Sequence, residues 1–81
     1  MKSRPAPAQY LVDEKRKKVA GLIQTARVQK GWSQRELGER VFFSQNTIAR
    51  IENLHFSPNA DQLYLILDCL DLHLTINNED I

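Results

Sequence analysis

Apolar residues along this chain recur first with a helical period and then, near the end, with a strand period. From about Leu11 the composition favours helix, and Val19, Leu22, Ile23 and Ala26 fall at i, i+3, i+4 and i+7, the spacing of one helix face. Gly31 is placed to end that helix in a left-handed cap. Ser33 and Glu36 form the S-x-x-E capping box, which predicts a second helix start, with Leu37 and Val41 turned inward. Ser44 then caps a third helix whose Ile48 and Ile51 share a face. A connection of only about three residues forces the second and third helices to cross steeply. Beyond Asn53 the loop L-H-F-S-P-N leads to a fourth stripe, Leu63, Ile66, Leu67 and Leu70, with Asn59 or Asp61 as its cap. Finally Leu72, Leu74 and Ile76 alternate with His73 and Thr75, a half-buried strand pattern. With no second strand candidate in the chain, the pattern predicts pairing with the same strand of another copy across a two-fold axis.

The first nine residues, M-K-S-R-P-A-P-A-Q, hold two prolines and little that packs. They predict a flexible basic arm over residues 1–12, a folded domain over 13–76 and a short acidic tail over 77–81. Such an arm either reaches into a minor groove or only adds long-range attraction, and the second reading is preferred.

Composition narrows the classes open to the chain. Its 81 residues, 42% hydrophobic and 26% charged, suit one globular domain that gains from association. A single cysteine excludes an intramolecular disulfide, and with two histidines it leaves too few ligands for a Cys/His zinc site. No metal or other cofactor is expected, and a reducing cytoplasm is the natural compartment. No apolar run approaches the roughly 18 residues of a membrane span, and no signal-peptide core is seen.

The formal net charge of +1 hides a strong asymmetry. All 11 Lys and Arg lie in residues 1–50 against four acids, a net +7, while residues 51–81 carry six acids and no base, a net −6. A polarised chain hints at a nucleic-acid or membrane contact, with two solvated faces as the plain alternative. Lys15 and Lys18, in a basic run on the first helix, are candidates for phosphate contacts. Trp32 beside a cap and Cys69 on an apolar helix are expected to pack in the core. His55 and His73 have no partner set for a nucleophile and base, and Asp68 with Asp71 suits a solvated face better than a metal site. No catalysis is expected.

The segment W-S-Q-R-E-L-G-E-R-V-F-F-S-Q-N-T-I-A-R-I-E-N, Trp32 to Asn53, resembles the helix-turn-helix of the Cro/CI-type (XRE) DNA-binding family. The match is carried by Ser33-Gln34, Glu36-Leu37, Gly38, Ser44-Gln45, Thr47-Ile48 and Ile51-Glu52. A recognition helix presents short polar side chains at its exposed N-terminal end, where they reach base edges in the major groove. Here the third helix offers Gln45, Asn46, Ala49 and Arg50 away from Ile48 and Ile51. The resemblance implies an all-α, lambda-repressor-like fold with base reading by Gln45, Asn46 and Arg50. It further implies that Gln34 braces Gln45 and touches a phosphate, and that Arg35, Ser44 and Thr47 lie along the DNA backbone. Arg27 and Glu52 match a pair that forms a structural salt bridge in several members.

The sequence departs from the family at two points. Phe42 stands where the turn usually has Gly, and Leu54 replaces a frequent Gly after the third helix. The stretch G-W-S-Q together with the ending C-L-D-L-H-L-T-I resembles the HipB-type antitoxins, whose C-terminal strands pair across a homodimer. That likeness implies an operon autorepressor binding a palindromic operator, with a HipA-like kinase toxin as a further partner. A free-standing phage-like repressor and a scaffold used for protein contacts are the alternatives.

Overall fold

The computed structural model describes residues 5–81, in the order α1 (Pro5–Gln29), α2 (Gln34–Val41), α3 (Gln45–Glu52), α4 (Ala60–Cys69), β1 (Thr75–Ile76) and β2 (Glu79–Asp80). The first four residues of the expected arm lie outside the described residues. The rest of the arm is helical, because proline lacks an N–H only where the first helical turn has no use for one. Composition then favours continuation through Ala8, Gln9, Tyr10 and Leu11.

On α1 the buried stripe is Ala20, Ile23, Ala26 and Arg27, with Val19 half-buried. Leu22, expected inside, is exposed. Arg27 takes the inward position one turn beyond Ile23 and rotates the face away from Leu22. The stripe meets Leu37 and Val41 of α2, Ile48 and Ile51 of α3, and Ile66 and Leu70 around α4 in one core. Trp32, Phe43, Phe56 and Cys69 pack against it from partly buried positions. Burial raises the Cys69 thiol pKa above its ordinary value, consistent with a packed side chain.

Helix ends follow the chemistry of their caps. Ser33 accepts from the Glu36 N–H while the Glu36 carboxylate accepts from the Ser33 N–H, and Asn59 and Gln62 do the same for α4. Gly31, at φ 75°, closes α1: the Trp32 N–H reaches the Arg27 carbonyl and the Gly31 N–H that of Val28. The same pair of bonds closes α3 around Leu54 (φ 66°) and α4 around Asp71 (φ 58°). Non-glycine residues therefore sit in left-handed conformations that glycine would adopt without strain.

The C-terminal segment differs from the expected lone strand. Thr75 and Ile76 pair antiparallel with Asp80 and Glu79 of the same chain, and the Ile81 N–H donates to the Leu74 carbonyl. Asn77 and Asn78, at φ 52° and 67°, supply the two left-handed residues of a tight hairpin turn. Asparagine tolerates that conformation, so residues 77–81, expected as a tail, fold back as the second strand. Leu72, His73 and Leu74 precede the ladder in irregular conformation.

Candidate nucleic-acid interface

The turn between α2 and α3 is built by close backbone approach. A Cβ on Gly38 would lie 2.5 Å from the Phe43 carbonyl oxygen, so the position requires glycine. The Phe43 N–H donates back to the Gly38 carbonyl at 2.8 Å. Phe42, which stands at the expected glycine position, adopts φ 63°. Its side chain is 94% exposed, while Phe43 is half-buried.

Two anchors fix α3 on this base. Ile48 and Ile51 are in the core, and Ser44 Oγ accepts from the Thr47 N–H and lies 2.9 Å from Thr47 Oγ1. Gln45, Asn46 and Arg50 are left exposed; Ala49 and Thr47 are half-buried. Arg50 donates through Nη2 to the His55 carbonyl at 3.3 Å, which holds its guanidinium at the C-terminal end of the helix.

The far end of α3 is tied down by charge. Arg27 Nε and Nη2 donate to the two Glu52 carboxylate oxygens at 2.7 and 3.0 Å, and Arg27 Nη1 donates to the Trp32 carbonyl at 2.8 Å. Gln34 Nε2 donates to Glu52 Oε1 at 3.1 Å. That bond adds a third donor to the Glu52 carboxylate, a contact that the resemblance did not imply for Gln34. Arg35 is exposed and paired with Glu39 at 3.3 Å. Lys15 and Lys18 are exposed on α1, one turn apart, whereas Arg16 is half-buried and donates to the Leu54 carbonyl at 3.2 Å. Arg16 lies in the same basic run as Lys15 and Lys18, yet it closes α1 onto the end of α3, a role set by the fold and not by local sequence.

Among the described residues no side-chain group suited to holding a metal ion is found. No three His, Cys, Asp or Glu side chains converge, and no helix is long and apolar enough to cross a membrane. An apolar groove between α1 and the α3–α4 loop, lined by Val19, Ile23, Ile51, Phe56 and Leu63, has no histidine, cysteine or carboxylate in its walls.

The Helix-turn-helix family model HTH_3 matches residues 23–77. No curated protein matches the chain significantly. Among solved structures, a serine-to-alanine variant of HipB in complex with an O2 20-mer is 30% identical, with a TM-score of 0.67 over 75% of this chain and 85% of that one. The family match spans the capped pair α2–α3 and the elements that brace it, and the HipB likeness extends over most of both chains: the protein belongs to the XRE-type, HipB-like helix-turn-helix family.

Proposed function

We propose that the protein is a sequence-specific repressor of transcription that binds double-stranded DNA as a homodimer. The observation that carries this reading is the presentation of Gln45, Asn46 and Arg50 on the outer face of a helix fixed at both ends. Glutamine and asparagine suit adenine, and arginine suits guanine, in the major groove. Ser44 and the free N–H groups beside it, with Gln34, Arg35, Thr47, Lys15 and Lys18, supply the sequence-independent contacts to phosphate.

The surface of the C-terminal segment supports pairing there. Tyr64, Leu65, Ile76 and Ile81 are exposed apolar residues on α4 and the hairpin, and β1 has one edge open to a second copy. A two-fold dimer places its recognition helices on half-sites of a palindrome about 34 Å apart, or a multiple of that. Occupancy of a promoter then blocks polymerase at the nucleoid. The likeness to HipB supports the narrower reading of an antitoxin that represses its own operon and binds a HipA-like kinase toxin.

The test is duplex binding against salt. A repressor dimer gives a log K that falls linearly with log salt, at about 0.9 per phosphate neutralised. No duplex binding at low salt overturns the reading. Leu74→Asp is expected to yield monomers that lose tight operator binding, and a persistent dimer in sedimentation would exclude the C-terminal interface.

A further inference from the structure

Phe42 carries two energetic penalties at once. It is a bulky residue in the left-handed region at φ 63°, and its ring is 94% exposed. The other left-handed residues that end helices show what their side chains gain. Leu54 is half-buried, and Asp71 bonds Lys30 at 2.7 Å. Among the described residues Phe42 makes no such contact, and Phe43 is the aromatic of the turn that packs on the core. Strain of this kind persists at sites where the side chain has work outside the fold.

The surroundings indicate what the ring meets. Phe42 lies two residues before the Ser44 cap and three before Gln45, at the end of α3 that presents polar side chains. Its exposed neighbours in sequence, Glu39, Arg40, Ser44, Gln45 and Asn46, are all polar. The other exposed large apolar residues lie on α1, on α4 and at the C-terminal hairpin. A lone ring within a polar surface lacks the contiguous apolar area that protein interfaces use. In the major groove, however, the one apolar feature of a base edge is the thymine 5-methyl group, which a phenylalanine can cover.

We infer that Phe42 is a specificity-determining DNA contact whose ring packs on a thymine methyl beside the base read by Gln45. The inference rests on the DNA-binding function proposed above. It adds a reader outside the polar set on α3 and explains why the turn carries a strained phenylalanine.

The test compares the full-length wild type with Phe42→Gly on a duplex selected by the wild type from a random pool. Glycine relieves the left-handed strain, so the variant is expected to melt at a higher temperature and yet bind the selected duplex about tenfold more weakly, the usual scale for losing one base contact. Binding to unselected duplex is expected to be unchanged. Replacing thymines by uracil one at a time removes single methyl groups. The wild type is expected to lose affinity at one position where the variant does not. Equal affinity of the two proteins for the selected duplex, an equal loss on unselected duplex, or dissociation of the variant into monomers would each overturn the inference. A lower melting temperature for the variant would overturn the strain argument. If the wild type selects no duplex, the proposed function fails and this inference with it; if the variant selects the same sequence as the wild type with equal preference for every thymine, only the role of Phe42 is removed.

Discussion

Arg27 and Glu52 lie 25 residues apart in sequence and meet through two parallel hydrogen bonds of 2.7 and 3.0 Å, joining α1 to the last residue of α3. Their side chains are 10% and 2% exposed, so neither charge has water to fall back on. Glu52→Gln leaves the guanidinium buried without its counter-charge and is expected to destabilise the fold by about 3–5 kcal/mol. Replacing both residues by apolar ones of similar volume is expected to cost far less. Urea unfolding of the single and double variants checks the contrast. Equal losses in the two would show that packing, not an orphaned charge, sets the cost.

Gly38→Ala tests the turn from the opposite side. Alanine in place of an exposed helical glycine ordinarily stabilises by about 0.5–1 kcal/mol. Here the new methyl would meet the Phe43 carbonyl oxygen, a backbone atom that cannot swing aside. The expected sign is reversed, with a loss of about 1–3 kcal/mol as the turn opens. A raised melting temperature would refute the close approach of α2 to the start of α3.

Acid should weaken the fold through two carboxylates. The backbone and side-chain hydrogen bonds of Ser33 hold the Glu36 pKa below its ordinary 4.5, and the hydrogen bond and charge of Lys30 hold that of Asp71 below 3.8. A group with a depressed folded-state pKa contributes fully above its unfolded value and loses that contribution as pH falls through the folded one. Melting temperatures are therefore expected to hold from pH 7 down to about the ordinary carboxylate range and to fall below it. Glu36→Gln, which removes one of the two groups, is expected to show a shallower decline between pH 5 and pH 3. An identical decline would assign the acid sensitivity elsewhere.

Base reading and phosphate contact separate in DNA titrations. Gln45→Ala is expected to lose about 1–3 kcal/mol on the selected operator and little on random duplex. Lys15→Ala is expected to weaken both alike and to lower the salt slope by about one. If Gln45→Ala weakens both duplexes equally, α3 is not reading bases.

Local signals made most of the scaffold legible. The S-x-x-E box, Gly31 and the isoleucine pair on α3 each act within a few residues, so sequence placed α2, α3 and the end of α1. Positions decided by distant neighbours were harder to read. Leu22 is apolar and in phase with Ile23, yet Arg27 and its partner Glu52 rotate the helix so that Leu22 faces outward. The bond from Gln34 to Glu52 likewise spans 18 residues of sequence and leaves no local signal. The hairpin is hard to read locally because β2 carries Glu79 and Asp80, which lack any strand-like alternation, and only the Asn77–Asn78 pair marks the fold-back. At Phe42 the missing glycine signals a strained backbone, whereas nothing local signals the exposed ring.

The hairpin also bears on how many copies can join. It leaves one rim of the little sheet on β1, with Thr75 and Ile76, and the opposite rim on β2, with Glu79 and Asp80. Charged residues on a strand discourage further strands from adding beside it. A pair formed through the β1 rims places both carboxylate-bearing rims on the outside, where a third copy meets like charge. In the proposed homodimer the same short turn that folds the chain end back would thus cap the stoichiometry at two and block growth into a fibre without any bulky stopper.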